Sequence, residues 1–145
     1  MRLIERYHTD YVRAGARLSE SDKSRLKSMN AQIASLSASF SQNVLKEINA
    51  SAVTVDSRAE LDGMAEADIA AAAAEAVSRG LPGKYVIALV NTTAQPPEEV
   101  LTNRALRKRL YDASIARGTR GGPFDNRAVV LKLVALRAER ARLLG

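Results

Sequence analysis

His8 is the sole histidine of this 145-residue chain, and there is no cysteine. It stands in His8-Thr9-Asp10-Tyr11-Val12, so the H-E-x-x-H spacing that puts two imidazoles on one helix face is absent. With neither a second His nor a Cys, the chain offers no conventional zinc ligand set, and a helical His among polar residues reads as a partly exposed side chain. Serines concentrate between positions 19 and 41. None lies in a G-x-S-x-G elbow and only His8 is at hand as a base, so polar spacing on a helix face accounts for them. Carboxylates gather at Glu98-Glu99 and at Asp62, Glu66 and Asp68, where helices open and the helix dipole favours acids. Gly118-Thr119-Arg120-Gly121-Gly122 has glycines enough to turn backbone N–H groups toward an anion. It lacks the G-K-[ST] of a P-loop and runs into Pro123, which favours a mobile loop between helices. Asn91-Thr92-Thr93 fits the glycosylation pattern, but the start MRLIERYHTDYV has no apolar secretory core.

Charge is unevenly placed. The chain carries a net +6, and from residue 101 onward Asp112, Asp125 and Glu139 are the only acids among many arginines and lysines. Such a basic half suits nucleic acid, an anionic membrane or an acidic protein surface. Arg104, Arg107 and Arg109 are the residues to contact a phosphate backbone, but the scarcity of stacking aromatics and the lack of a known binding motif argue against nucleic acid as the partner. No uncharged run has membrane-spanning length, so a soluble protein without a membrane partner is expected.

The elements that would position these groups are mostly helical. Leu3, Ile4, Tyr7, Tyr11 and Ala14 recur at helical spacing up to about Arg17. Ser19 with Asp22 three residues on reads as a helix cap, and Leu26, Met29, Ile33, Leu36, Phe40, Val44 and Ile48 then keep one stripe on a long helix from about Glu20 to Ile48. Ser51–Asp56 and Tyr85–Val90 are short, β-branched runs. Each needs a partner for its backbone groups. They are therefore paired as one small two-stranded β ribbon, about 52–55 with 86–90. Between them lie a turn near 58–61 and a helix from Glu66 to Arg79. Thr102 or Asn103 caps a helix from Arg104 to about Ala116, and Asp125 caps a last helix with Val129, Leu133, Leu136 and Leu143 on its apolar face. The fold class is mostly α: a helical bundle or set of hairpins with that ribbon, residues 1–145 forming a single helix-rich segment.

Several stretches together resemble a known family: Tyr85-Val86-Ile87, Asn91-Thr92-Thr93, Gln95-Pro96, Leu101-Thr102-Asn103-Arg104, Leu106-Arg107, Ala113-Ser114, Arg117-Gly118, Arg120-Gly121-Gly122 and Phe124-Asp125-Asn126, with Phe40-Ser41-Gln42-Asn43-Val44 and Gly80-Leu81-x-Gly83 upstream. The chain resembles the peptidyl-dipeptidase Dcp branch of the thimet oligopeptidase family of zinc metallopeptidases, over essentially all its residues. It departs at Pro97-Glu98, where the family tends to carry an apolar residue.

The resemblance implies a fragment, the largely N-terminal and non-catalytic portion of a cytoplasmic hydrolase. The full-length enzyme is a protease that removes dipeptides from the C-termini of short peptides by means of a zinc-bound water. Its zinc ligands and catalytic Glu lie C-terminal to the region resembled, so no position here inherits a catalytic, metal or cofactor role, and no peptide cleavage is expected of this chain alone. The segment would be scaffold and channel wall, partnered by the remainder of the peptidase chain, with self-association through apolar surface that chain would cover. If one residue touches substrate, the expectation falls on Arg120, drawing a peptide carboxylate. The alternative is a stand-alone, non-catalytic binding module using the basic C-terminal half.

Overall fold

The turn after the first helix is built around Gly15, which adopts φ +102°. A Cβ there would meet Leu26 Cδ2 at 2.9 Å and Leu18 Cδ1 at 3.0 Å, so glycine answers both a left-handed backbone and a close approach. In the computed structural model, which describes residues 2–90 and 95–145, α1 (Arg2–Arg13) precedes this turn and α2 (Glu20–Ala50) follows it. The start of α2 is as its sequence predicts. The Asp22 amide donates to Ser19 Oγ at 3.1 Å, and that hydroxyl donates to Asp22 Oδ2 at 2.8 Å, satisfying donors that a helix start leaves unpaired. The expected helix through Arg17 ends earlier, at Arg13, because Gly15 breaks it.

β1 (Val53–Val55) and β2 (Tyr85–Ile87) pair antiparallel, with Val53 opposite Ile87 and Val55 opposite Tyr85. The ribbon is real but shorter than its apolar run. Leu89 leaves the ladder to enter the core, fully buried, while Val90 is 65% exposed. A 3-10 turn (Arg58–Leu61) and α3 (Glu66–Ser78) form the insert between the strands. Then come a single helical turn that the sequence reading lacked, α4 (Pro97–Val100), and the helices α5 (Arg104–Ile115) and α6 (Arg127–Leu144). Proline opens α4, where its missing N–H leaves no hydrogen bond unmade. Asn103 caps α5, its Oδ1 accepting from the Leu106 amide at 3.0 Å. The last helix is displaced by one position: Asn126, not Asp125, holds its N-cap, because the Asp125 carboxylate accepts from the Gly121 amide at 2.8 Å instead.

The described residues form two compact units, Met1–Gln42 with Asn126–Gly145, and Asn43–Asp125; the boundary falls within α2. The second unit has the larger core, in which Val55, Leu61, Leu89, Leu106 and Leu110 are fully buried. Each such side chain stabilises by about 1.5–3 kcal/mol relative to exposure. In the first unit Met29, Ile33 and Leu133 are buried. α3 lays Ile69, Ala72 and Ala76 inward, and the two alanines let β2 approach closely.

Candidate functional site

Glu47 is the one buried acidic side chain among the described residues, 4% exposed. It lies on α2, seven residues after Phe40, so it occupies a position of the apolar stripe rather than the polar face. Burying a carboxylate without partners is costly, and Glu47 has two. Its Oε2 accepts from the Gly118 amide at 2.5 Å and its Oε1 from Arg120 Nε at 3.2 Å. The same guanidinium donates to the Ala113 carbonyl. Gly118 can aim its N–H this way because it takes φ +73°, a region that strains side-chain-bearing residues.

The loop after α5 is thus tied down along its length. Thr119 Oγ1 donates to the Ala116 carbonyl at 3.0 Å, and Lys46 Nζ sits 5.9 Å from the centre of the Phe124 ring, within cation–π range. The backbone N–H groups of Gly118 and Gly121, which a P-loop would turn toward phosphate, are taken by Glu47 and Asp125 of the chain itself. Arg120 is where the sequence reading put it, in this loop, and about a third of its side chain is exposed. Glu47 is not among the residues that sequence patterning singles out. A charged residue at a stripe position of α2 was the available signal.

The other candidates do not converge. Arg17, beyond the end of α1, donates to Nε2 of His8 on that helix at 3.2 Å; a guanidinium has only donors, so that imidazole nitrogen is the acceptor. Glu66 and Asp68 open α3, and Glu98 and Glu99 open α4, the dipole-favoured places expected of them. Glu66 pairs with Arg58, whose guanidinium is held further toward its charged form by that carboxylate. Asp62 Oδ2 accepts from Thr102 Oγ1 at 2.8 Å. Among the described residues no three His, Cys, Asp or Glu side chains gather as a metal site, so the residues described do not fit a zinc ion. Two of the three basic residues singled out on α5 are engaged with backbone. Arg107 donates to the Leu101 and Thr102 carbonyls, and Arg109 donates to the Thr54 carbonyl at 2.7 Å. No helix among the described residues is long and apolar enough to cross a membrane.

No family model matches the chain. It is 39% identical to the dipeptidyl carboxypeptidase of Escherichia coli over 145 residues, its entire length, which is 21% of that relative. The dipeptidyl carboxypeptidase of Salmonella typhimurium matches at the same identity and coverage. Oligopeptidase A of Haemophilus influenzae is 34% identical over 98% of the chain and 21% of its own length. Along its whole length the chain is similar to dipeptidyl carboxypeptidases and oligopeptidases A. It spans about a fifth of the length of these curated peptidases.

The similarity gives the contacts above a common setting. The residues that carry the resemblance are largely the ones that hold the fold: Gln95, 1% exposed, donates to Ser114 Oγ at 3.3 Å, Asn103 caps α5, and Gly118 and Arg120 seat Glu47. In the first unit, buried Asn126 donates to the Phe40 carbonyl at 3.3 Å. Asn91, Thr92 and Thr93, part of the same signal, lie outside the described residues.

Proposed function

We propose that this chain is the scaffold and channel-wall portion of a cytoplasmic, zinc-dependent peptidyl-dipeptidase, with no catalytic or metal-binding group of its own. The observation that carries the reading is identity along the whole chain to dipeptidyl carboxypeptidases of which it spans a fifth. The zinc, the activated water and the release of C-terminal dipeptides from short peptides belong to the full-length enzyme, whose remaining chain is the principal partner. Residues 1–145 act as one helix-rich segment within it. The contacts of the described residues support a structural role, since the polar side chains at resemblance positions hold backbone or each other.

Arg120 is the residue proposed to meet substrate. With Nε on Glu47 and another nitrogen on the Ala113 carbonyl, its remaining edge is what a peptide carboxylate would reach. Self-association follows from α1, which buries none of its residues and exposes Leu3, Ile4, Tyr7 and Tyr11. Light scattering at high concentration should show masses above the monomer, and a strictly monomeric mass removes that part of the reading.

The test is a chimera. Residues 1–145 replace the matching 145 residues of the Escherichia coli enzyme, and dipeptide release from a short peptide is followed. The chimera should cleave and the 145-residue chain alone should not. Cleavage by the chain alone, or a folded chimera that binds zinc yet releases nothing, overturns the proposal.

A further inference from the structure

The first unit carries much of its apolar surface outside rather than inside. Among its described residues Met29, Ile33 and Leu133 are the buried large apolar side chains, whereas the second unit closes a continuous cluster around Val55, Leu61, Leu89, Leu106 and Leu110. α1 takes no share in a core. It buries none of its residues, yet sets Leu3, Ile4, Tyr7 and Tyr11 along one face, with Ile4 75% exposed. Its 12 residues are marginal as a helix in water on propensity alone, so its stability has to come from something packed on that stripe. α6 repeats the pattern. One side is buried through Leu133, and the other exposes Val130, Leu131 and Val134, Leu131 to 72%. On a helix these three positions adjoin one another. The polar ties between α2 and α6, Arg25 to Glu139 and Arg140 to Asn30, are exposed, and such contacts add little.

A cover that holds a marginal helix in place has to be present whenever the helix is. The chain matches its relatives along its entire length and spans a fifth of them, so in a polypeptide of their length most residues lie outside this segment. Segments of one polypeptide meet at effective concentrations of about 1 mM, which lets even a modest affinity keep a face covered. A partner that comes and goes does not meet that need, because each departure returns α1 to its marginal state.

We propose that the exposed faces of α1 and α6 are intramolecular interfaces, covered by the remainder of the peptidase polypeptide, and that the first unit reaches full stability only under that cover. The inference rests on the reading of this chain as one portion of a longer peptidase, and adds which helices the remainder holds. Its test is amide hydrogen exchange, comparing the dilute 145-residue chain with the chimera that carries it in the Escherichia coli enzyme. α1 and α6 should exchange about tenfold or more slower in the chimera, while the core around Leu106 and Leu110 is protected in both. In the chimera Leu131→Asp should speed exchange of α6, and Ile4→Asp that of α1, by about tenfold or more, with the core of the second unit still protected. In the dilute 145-residue chain neither substitution should change exchange. Equal exchange of α1 and α6 in the two proteins overturns the proposal, as do substitutions without effect on the chimera. Protection that rises with chimera concentration alongside a dimeric mass assigns the cover to a second copy and overturns it too. Exchange is read without turnover, so the two proposals fail separately. A zinc-binding chimera that shows the protection but releases no dipeptide removes the peptidase reading, and one that cleaves while α1 and α6 exchange fast removes this inference.

Discussion

Glu47 and Arg120 are 73 residues apart in sequence, and Arg120 Nε donates to Glu47 Oε1 at 3.2 Å. The pair is unequal: the carboxylate is buried and the guanidinium partly solvated. Removing the cation leaves a buried anion held by the Gly118 amide, whereas removing the anion releases an arginine that water can receive. Arg120→Ala should therefore destabilise the protein by about 1–3 kcal/mol, read as a lower urea midpoint. Glu47→Gln should cost less, and in its background Arg120→Ala should cost less again. If Arg120→Ala instead leaves the midpoint in place but weakens peptide binding in the full-length enzyme, the substrate role prevails over the structural one.

Gly63 adopts φ +94°, and a Cβ built there would overlap the Val100 carbonyl oxygen and press the Thr102 amide. That amide donates to the Asp62 carbonyl at 3.0 Å, so the segment after α4 cannot retreat without breaking it. Gly80 also has positive φ, at +72°, but nothing lies within 4 Å of its missing Cβ. Gly63→Ala should cost about 3 kcal/mol or more, by clash added to backbone strain, and Gly80→Ala only about 1 kcal/mol. Equal costs in chemical denaturation would show that strain alone operates at Gly63.

Lys84 Nζ lies 2.9 Å from Asp56 Oδ1, one residue beyond the Val55–Tyr85 pair that ends the ribbon. The hydrogen bond and charge of Lys84 hold the Asp56 carboxyl below its usual range. A depressed folded-state value means the pair stabilises above the ordinary carboxylate pKa and that this contribution is lost as pH falls through the lowered one. Asp56→Asn should accordingly flatten the acid limb of stability against pH and leave the neutral-to-alkaline part of the profile unchanged in shape. The difference should shrink in high salt, because the pair is exposed.

Arg107→Ala and Arg109→Ala should each lower unfolding free energy by about 1–2 kcal/mol, since each frees backbone carbonyls that a guanidinium now serves. Arg104→Ala, at an exposed position, should stay within about 0.5 kcal/mol of the parent. A triple alanine variant that lost polyanion binding would therefore need its fold checked before the loss was assigned to direct contacts.

Features set by neighbours in sequence were legible beforehand. The Ser19 and Asn103 caps follow from side chains reaching three residues along, and the ribbon follows from two short apolar runs that each require a partner. Its length did not, because Ala88–Val90 is as apolar as Tyr85–Ile87 and only tertiary packing draws Leu89 out of the ladder. Asp125 reads as the cap of the last helix from sequence, and only the fold shows its carboxylate accepting from the Gly121 amide. Glu47 was hidden for the same reason: both of its donors lie more than 70 residues away. α4, four residues long, is too short to show a period. Arg120 could be placed in its loop from sequence, but the side chain it meets there could not.

Arg109 reaches across from α5 to the Thr54 carbonyl, in the middle of β1. A two-stranded ribbon has open margins, and an open margin invites a foreign strand to add to it. Here a newcomer along β1 would have to dislodge a guanidinium anchored by its own helix and drawn also toward Glu60, 3.9 Å away. Arg109, one of the arginines that could also meet a phosphate backbone, thus lies across the margin of a β-prone stretch at the place where an added strand would have to begin.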